Sequence, residues 1–300
     1  MTGSDFRKVL PEERILENVP MKEHTTFRVG GPARIYLVPE TREEILGIFG
    51  LLREEKENYF VLGRGSNLIV GDKGFDGVII DFRKGFNRIE NKETVIWAEA
   101  GAMMSDMAKV ALNNALTGFE FASGIPGTIG GGIMMNAGAY GGEIKDVLKS
   151  AEVLLPDGEI RVMTCEELGL GYRYSRLPEL SAVVLSVEIT LTPGNPEDIK
   201  ALMDDLNGRR RDKQPLEYAS AGSTFKRPTG YFAGALIEGA GLKGYAVGDA
   251  EVSTKHAGFV INKGNATAAD ILAVIRHEQE AVYEKYGVML EPEDKMIGEF

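Results

Sequence analysis

Residues 118–142 read GFEFASGIPGTIGGGIMMNAGAYGG, a glycine-rich stretch of small, amide and hydroxyl residues in which Glu120 is the single charge. Glycine loses more backbone entropy on folding than any other residue, so such a run indicates that the backbone passes very close to another group. A common partner is a phosphate held by main-chain N–H groups. A flexible linker is the alternative, but Ile129, Ile133 and Met134 argue against it, because linkers lack buried apolar residues.

A second loop of the same kind, GRGSN, occupies residues 63–67. Two such loops in one acidic chain suggest a large phosphorylated cofactor. The common dinucleotide fingerprint, G-x-G-x-x-G between a strand and a helix, fails at residues 63–68 because the last position is Leu68 and another strand follows. Residues 127–132 (GTIGGG) come closer, but no clear strand leads into them, and no G-K-[ST] sequence indicates a P-loop. The residues alone leave a pyrophosphate cradle and a purely structural glycine turn at even odds.

The composition limits the compartment and the partners. Three hundred residues with 43% hydrophobic content are enough for a sizeable core in two or three lobes, and a formal charge of −11 argues against nucleic acid or an anionic membrane as the main partner. The one cysteine excludes an intrachain disulfide and, with no signal-peptide or membrane-spanning segment, favours a cytoplasmic protein. The three histidines lie far apart without ligand spacing, so no metal site is expected.

Apolar periodicity and capping residues predict a mixture of strands and helices. The predicted strands are residues 34–38, 59–62, 68–70, 78–81, 95–99, 151–155, 159–163 and 183–190. The predicted helices begin at caps Thr41, Thr164 and Thr267, span residues 105–114, and run from the turn at residues 193–196 to about Arg211. Without a regular β-α-β-α alternation, this pattern indicates the α+β fold class.

Six motifs, in order along the chain, carry a specific resemblance. They are TTFRVGGPA (25–33), LGRGSNL (62–68), GIPG with MNAGAYG (124–127 and 135–141), YRYS (172–175), AGSTFK (221–226) and LEPE (290–293). Together they resemble the UDP-N-acetylenolpyruvoylglucosamine reductases of bacterial peptidoglycan synthesis, from about residue 20 to the C-terminus. The compact segment between Tyr172 and Ser223 resembles the shorter subclass, which lacks an extra substrate-covering loop.

The resemblance implies a two-lobed FAD-binding module of the vanillyl-alcohol-oxidase type, followed by an α+β substrate domain. The implied division is an N-terminal lead (1–20), FAD-binding lobe 1 (21–85), FAD-binding lobe 2 (86–194) and a C-terminal substrate-binding domain (195–300). It also implies that NADPH reduces a noncovalent FAD, and that the flavin N5 delivers hydride to the methylene carbon of the enolpyruvyl ether. The expected product is UDP-N-acetylmuramic acid.

The resemblance also assigns residues to the reaction. Hydride addition to an enolpyruvyl carboxylate builds an enolate-like dianion, which the guanidinium of Arg173 suits in charge and shape. The match places the proton donor at Ser223 and a supporting acid at Glu293. For FAD it suggests two main-chain cradles, Gly63, Gly65, Ser66 and Asn67 in one and Ser123, Gly124, Ile125, Gly127 and Thr128 in the other. The expected substrate contacts are Tyr172, Lys213 and Arg227.

Each motif also has an ordinary structural interpretation. A Y-R-x-S tetrapeptide is more often an edge-strand salt bridge and cap, Ala221-Gly-Ser is more often a turn, and an acidic C-terminal cluster is usually a solvated face. Two other functions stay open on the residues: a flavin oxidase acting on another small substrate, and a flavin- or nucleotide-sugar-binding module without turnover. A binding module needs no proton donor, so Arg173, Ser223 and Glu293 together favour the reductase. A monomer is expected.

Overall fold

The computed structural model describes residues 1–300 as two compact units, each built from separate stretches of the chain. Unit 1 comprises Met1–Glu17, Ile35–Arg64 and Gly77–Arg209, and unit 2 comprises Asn18–Arg34, Gly65–Asp76 and Arg210–Phe300. The four-part division by FAD-binding and substrate-binding lobes stays a prediction. No helix has both the length and the apolar character that crossing a membrane requires.

The secondary structure is mixed throughout, which confirms the predicted α+β class. The α-helices are α1 (Arg42–Glu55), α2 (Met104–Asn113), α3 (Ile129–Met134), α4 (Cys165–Leu168), α5 (Pro196–Lys213), α6 (Ala233–Gly239) and α7 (Ala268–Tyr286). The first nine strands are β1 (Ile15–Pro20), β2 (Pro32–Leu37), β3 (Tyr59–Leu62), β4 (Leu68–Val70), β5 (Phe75–Asp81), β6 (Ile89–Lys92), β7 (Val95–Glu99), β8 (Leu116–Thr117) and β9 (Gly138–Ala139). The others are β10 (Gly142–Glu143), β11 (Leu148–Leu154), β12 (Ile160–Thr164), β13 (Val183–Thr190), β14 (Thr192–Pro193), β15 (Ala246–Val247), β16 (Ala250–Val252), β17 (Val260–Asn262) and β18 (Lys295–Ile297).

Unit 1 is organised around two sheets. A five-stranded antiparallel sheet has the order β12-β11-β13-β7-β6, and its central strand β13 is the nearly unbroken apolar strand predicted at residues 183–190. A four-stranded sheet has the order β1-β2-β5-β3, with β3 parallel to β5. Helix α1 begins at Thr41, whose hydroxyl accepts a hydrogen bond from Glu44 N, and it buries Ile45, Ile48 and Leu52 in the core, as its period predicts.

Unit 2 has its own apolar core. Helix α7 packs on the small antiparallel sheet β15-β16-β17 and on α6, and β18 pairs in parallel with β4. The N-terminus of α7 is capped twice: Thr267 Oγ1 accepts from Asp270 N, and the carboxylate of Asp72 accepts from Ala268 N at 2.8 Å and Ala269 N at 2.9 Å. These contacts satisfy N–H groups that a helix leaves free at its start.

The glycine-rich stretch is less uniform than its sequence indicates. It contains helix α3, for which no helix is predicted, followed by the hairpin of β9 and β10. Thr128 caps α3, and Ile129 and Ile133 are buried, so the apolar residues that argue against a linker do lie in the core of unit 1. Helix propensity does not predict α3, because three of its six residues are glycines. Packing keeps these glycines helical.

Candidate active site

The predicted site residues divide between the two units. Unit 1 carries Gly63, Ser123, Gly124, Ile125, Gly127, Thr128, Tyr172 and Arg173. Unit 2 carries Gly65, Ser66, Asn67, Lys213, Ser223, Arg227 and Glu293. The first predicted cradle is therefore split between the units, and so is the catalytic set.

Two predicted cofactor loops meet inside unit 1. A Cβ atom at Gly63 would lie 2.4 Å from Thr128 Oγ1, so the end of β3 approaches the second loop as closely as only glycine allows. Thr128 itself is buried, whereas residues 123–127 are half-buried or exposed and carry no charge. Their main chain is thus accessible to a phosphate, which fits the predicted cradle.

The rest of the glycine run serves packing. A Cβ at Gly130 would lie 2.8 Å from Ala100 Cβ, and one at Gly132 would lie 2.9 Å from Met104 Sδ. The main chain adds two hydrogen bonds, from Ile129 N to Ala102 O at 2.8 Å and from Gly130 N to Ala100 O at 2.9 Å. Glycine here lets α3 lie directly on the chain at residues 100–104, and this contact fixes the base of the predicted cofactor loop.

A residue from α5 contacts the same loop. Asn207 Nδ2 donates to Ser123 Oγ at 3.1 Å, within unit 1. Nothing in the sequence singles out Asn207, because an asparagine inside a polar helix carries no local signal for function. The contact orients the Ser123 hydroxyl.

Arg173 lies at the tip of a tight turn in unit 1. Gly171 N donates to Tyr174 O at 3.1 Å and Tyr174 N donates to Gly171 O at 3.2 Å, so Tyr172 and Arg173 are the two central residues. Arg173 has φ of 51°, a left-handed conformation that favours glycine or asparagine at this turn position. Its guanidinium lies 5.2 Å from the Tyr172 ring centroid, and its Nη2 donates to Gly138 O at 3.4 Å.

The turn is anchored by buried polar groups. Ser175 Oγ donates to Met134 O at 2.8 Å, and Asn136 Nδ2 donates to Gly171 O at 3.0 Å. Both Ser175 and Asn136 are almost completely buried. The Y-R-Y-S motif is therefore attached to the MNAGAYG motif, a link between two sequence motifs that only the fold reveals.

In unit 2, Ser223 and Glu293 belong to two adjacent extended segments. Glu293 N donates to Thr224 O at 2.8 Å, and Lys226 N donates to Glu291 O at 2.9 Å. Thr224, which follows Ser223 directly, is buried, and its Oγ1 accepts from Val260 N at 3.0 Å. The main chain of the predicted acid Glu293 is thus hydrogen-bonded to the residue that follows the predicted proton donor Ser223.

Asn67 is attached to the same pair of segments. Its Nδ2 donates to Glu293 O at 3.1 Å, and its O accepts from Lys295 N at 3.0 Å. Gly65, two residues earlier, has φ of 65°, and a Cβ there would lie 2.3 Å from His24 O. The predicted cofactor loop at Gly65 and Asn67 is therefore joined to the extended segment that carries Glu293.

A buried pair of acids lies behind Glu293. Asp294 and Glu278 of α7 are buried, and none of their four carboxylate oxygens has a hydrogen-bond partner. Burial raises the pKa of Asp294 well above its usual value, and the charge of Glu293 raises it further; burial and then Asp294 raise the pKa of Glu278 in the same way. Each of these buried side chains therefore holds its proton more strongly than a solvated carboxyl does.

The predicted substrate contacts of unit 2 are on its surface. Lys213 is exposed at the end of α5, and the Arg227 guanidinium lies 4.5 Å from the Phe232 ring centroid. His256 is half-buried, and its pKa is lowered by burial first and also by Lys243 and Lys213. Its Nδ1 accepts from Gly258 N at 3.1 Å, so neutral His256 stabilises the segment whose Gly258 O accepts from Thr224 N.

Several of these residues were missed because their signals are weak in sequence. Glu278 had one: it interrupts the apolar stripe of α7 formed by Ile271, Val274, Ile275 and Val282, and an acid on a buried helix face requires an explanation. Asn136 and Thr224 lie inside motifs used for the resemblance, yet nothing in those motifs tells which residue is buried and hydrogen-bonded.

Two family models match the chain, one toward its N-terminus and the other near its C-terminus. Residues 33–164 match an FAD binding domain, and residues 214–297 match the C-terminal domain of UDP-N-acetylenolpyruvoylglucosamine reductase. The first covers the predicted cofactor loops at Gly63 and at residues 123–128. The second covers Ser223 and Glu293.

Whole-chain comparisons agree with these matches. A UDP-N-acetylenolpyruvoylglucosamine reductase of Caldanaerobacter subterraneus subsp. tengcongensis is 52% identical, over 98% of this chain and 97% of the relative. A reductase of the same name from Agathobacter rectalis is 52% identical, over 97% of this chain and 96% of the relative. Among solved structures, UDP-N-acetylenolpyruvylglucosamine reductase from Thermus caldophilus superposes with a TM-score of 0.80 at 38% identity, covering 94% of this chain and 98% of that chain.

Proposed function

This chain belongs to the family of UDP-N-acetylenolpyruvoylglucosamine reductases, and on that premise we propose how its own residues carry out the reaction. It is an FAD-dependent oxidoreductase that reduces the enolpyruvyl group of UDP-N-acetylglucosamine enolpyruvate during peptidoglycan precursor synthesis. NADPH is the proposed electron donor, and UDP-N-acetylmuramic acid is the proposed product. The proposed enzyme is a cytoplasmic monomer.

The two glycine loops hold FAD noncovalently in this proposal. When bound, FAD supplies the redox chemistry that takes a hydride from the reduced nicotinamide and delivers it to the methylene carbon of the substrate. The proposed main-chain contacts are Gly63, Gly65, Ser66 and Asn67 in one cradle and Ser123, Gly124, Ile125, Gly127 and Thr128 in the other. The uncharged, half-buried or exposed backbone at residues 123–127 supports this assignment.

Arg173 stabilises the negative charge that develops on the substrate. Hydride addition at the methylene carbon leaves an enolate conjugated with the carboxylate, and a guanidinium matches that planar pair of oxygens in charge and geometry. The left-handed backbone of Arg173 supports this role, because a turn that needed only its backbone conformation would favour glycine at this position.

Ser223 donates the proton that completes the reduction at the adjacent carbon. A serine hydroxyl is a weak acid, so this step requires a carbanion-like acceptor and close positioning. Glu293 supports the step as a neighbouring acid. The observation that carries the assignment is the main-chain hydrogen bond from Glu293 N to Thr224 O, which holds Glu293 beside the residue that follows Ser223.

Tyr172, Lys213 and Arg227 bind the nucleotide-sugar portion of the substrate. The overall charge of −11 repels an anionic ligand, so local cations must hold the diphosphate and the carboxylate. Lys213 and Arg227 are exposed cations, and Tyr172 offers an exposed ring beside Arg173.

The test separates the two half-reactions of the purified holoenzyme. Under anaerobic conditions, NADPH should bleach the absorbance of the bound FAD, and UDP-N-acetylglucosamine enolpyruvate should then restore it. A protein that is purified without FAD, or whose reduced FAD is not reoxidised by this substrate, contradicts the proposal.

Ser223→Ala tests the proton donor. The variant should bleach with NADPH at nearly the wild-type rate but should reoxidise with substrate about 10²- to 10⁴-fold more slowly, because general acid catalysis contributes roughly that factor. Equal losses in both half-reactions would refute the role of Ser223. Ser220→Ala, which removes another hydroxyl of the same segment, is the matched control.

A further inference from the structure

Two small turns in unit 1 are joined by the side chain of Asn136. The first is the hairpin of β9 and β10, in which Glu143 pairs with Gly138 and the connecting residues Tyr140 and Gly141 both have positive φ. Positive φ at both central residues is the arrangement that tight two-residue hairpins favour. The second is the turn from Gly171 to Tyr174 that presents Arg173.

The amide of Asn136 is fully engaged in this connection. Its Nδ2 donates to Glu143 Oε2 of the hairpin and to Gly171 O of the turn, both at 3.0 Å. Its Oδ1 accepts from Lys145 N at 3.0 Å. Asn136 has no exposed surface and has a left-handed backbone (φ 46°), so its three hydrogen bonds are made in a fixed geometry away from water.

The side chain of Arg173 makes a second connection between the two turns. Its Nη2 donates to Gly138 O, and Gly138 is the residue that pairs with Glu143 in the hairpin. The pKa of Glu143 is lowered, chiefly by the hydrogen bond from the Lys145 side chain and further by the charges of Lys145 and Arg173. The negative charge of the Glu143 carboxylate therefore interacts with Arg173. These contacts form a closed chain. Asn136 bonds to Gly171 in the turn that carries Arg173, Arg173 bonds to Gly138, and Gly138 pairs with Glu143, which bonds back to Asn136.

We propose that Asn136 and Glu143 are positioning residues that hold the guanidinium of Arg173 in the orientation needed for the substrate carboxylate. The inference rests on the proposed role of Arg173 and adds two residues that act through it. A left-handed arginine at the tip of a turn has no local reason to keep one orientation, and a long side chain loses considerable entropy when it is held. The buried amide supplies the constraint on the backbone, and the Glu143 carboxylate supplies the charge that attracts the side chain.

Asn136→Asp is the variant that tests this positioning role most directly. Aspartate keeps the size, the tolerance for a left-handed backbone and the acceptor for Lys145 N, but it loses both donated hydrogen bonds and faces the Glu143 carboxylate. We expect reoxidation of the reduced enzyme by substrate to slow by about 10²-fold, as a displacement of about 1 Å in a reacting group can do, while reduction by NADPH changes little.

A double-mutant cycle distinguishes positioning from a general structural role. In an Arg173→Ala background, Asn136→Asp should cause no further loss, because the group through which it acts is gone. A loss of the same factor in both backgrounds, or a near-normal rate in Asn136→Asp when Arg173→Ala is strongly impaired, overturns the inference. A crystal structure of the Asn136→Asp holoenzyme gives a readout besides rate: the guanidinium should leave Gly138 O, and a wild-type position counts against the inference.

Glu143→Gln provides a second test of the proposal if Asn136→Asp does not fold. Glu143→Gln should slow the same half-reaction by a smaller factor, whereas Lys145→Met, which removes the ion pair between Lys145 and Glu143 (2.7 Å), should not. Equal effects of these two variants contradict the inference. A normal substrate half-reaction in Arg173→Ala has a different meaning: it refutes the proposed role of Arg173, and the crystal structure of the Asn136 variant then still decides whether Asn136 places that side chain.

Discussion

The Arg173 turn of unit 1 and the Ser223–Glu293 segments of unit 2 are held in opposite ways. Arg173 depends on side chains: the amide of Asn136, the charge of Glu143 and the hydroxyl of Ser175. The segments of Ser223 and Glu293 are joined mainly by main-chain hydrogen bonds, such as that from Glu293 N to Thr224 O, and the Asn67 side chain adds one to Glu293 O. The first arrangement includes a left-handed non-glycine residue, and the second does not.

The difference decides how each region responds to substitution. A main-chain hydrogen bond survives any side-chain change that leaves the backbone in place, whereas a buried amide network fails when one member is replaced. We therefore expect substitutions of the residues around Arg173 to lower the rate of the substrate half-reaction. Substitutions around Ser223 and Glu293 should lower the free energy of unfolding, with less effect on that rate.

Among substitutions in the Arg173 turn, the largest effect is expected from Arg173 itself. Arg173→Ala and Arg173→Gly should both slow reoxidation by substrate about 10²- to 10³-fold, the usual loss when one charge-stabilising group is removed. They should differ in stability: glycine relieves the left-handed conformation that alanine keeps, so the glycine variant should have the higher free energy of unfolding. Rapid-mixing absorbance and urea denaturation measure the two quantities. A glycine variant less stable than the alanine variant would mean that the turn is not strained.

Thr224→Val should show the reverse behaviour in unit 2. Valine keeps the shape of threonine but leaves the buried Val260 N–H without its acceptor, which should cost about 1–3 kcal/mol in the free energy of unfolding. The rate of the substrate half-reaction should fall much less than in the Asn136 variant, because the main-chain bond from Glu293 N to Thr224 O is untouched. Thr229→Val, at an exposed threonine of the same unit, is the control. A rate loss as large as that of Arg173→Ala would remove the contrast between the two regions.

The smallest effect concerns pH and the acids behind Glu293. Because the pKa values of Glu278 and Asp294 are raised in the folded state, their contribution to stability is present below about pH 4, where unfolded carboxyls are protonated, and is lost as the pH rises. Glu278→Gln should therefore make the melting temperature less dependent on pH above about 4, and its gain in melting temperature should grow as the pH rises. Glu284→Gln on the exposed face of the same helix should leave the wild-type profile. An unchanged profile in the Glu278 variant would show that this pair is not titrating.

Local patterns predicted many of the longer elements, whereas helix α6 and the short strands β15, β16 and β17 of unit 2 were not predicted. The strands at residues 59–62, 68–70, 95–99 and 183–190 have the predicted bounds, and the helices that follow Thr41, Thr164 and Thr267 begin after those caps. These elements follow from side-chain period and capping, which act over a few residues. Helix α3 and the hairpin of β9 and β10 do not, because glycine-rich backbone adopts them only when packed on residues 100–104 and joined to the Arg173 turn.

The sequence by itself determined the α+β class, the glycine loops and, through six ordered motifs, the family, because each depends on residue identity at short spacing. Only the tertiary structure decided which parts of the glycine run are accessible and which are packed, and which residues hold Arg173, Ser223 and Glu293. Asn136 contacts Gly171 from thirty-five positions away, and Asn67 contacts Glu293 across 226 positions. Such hydrogen bonds arise from chain segments that folding brings together, and no local pattern encodes them.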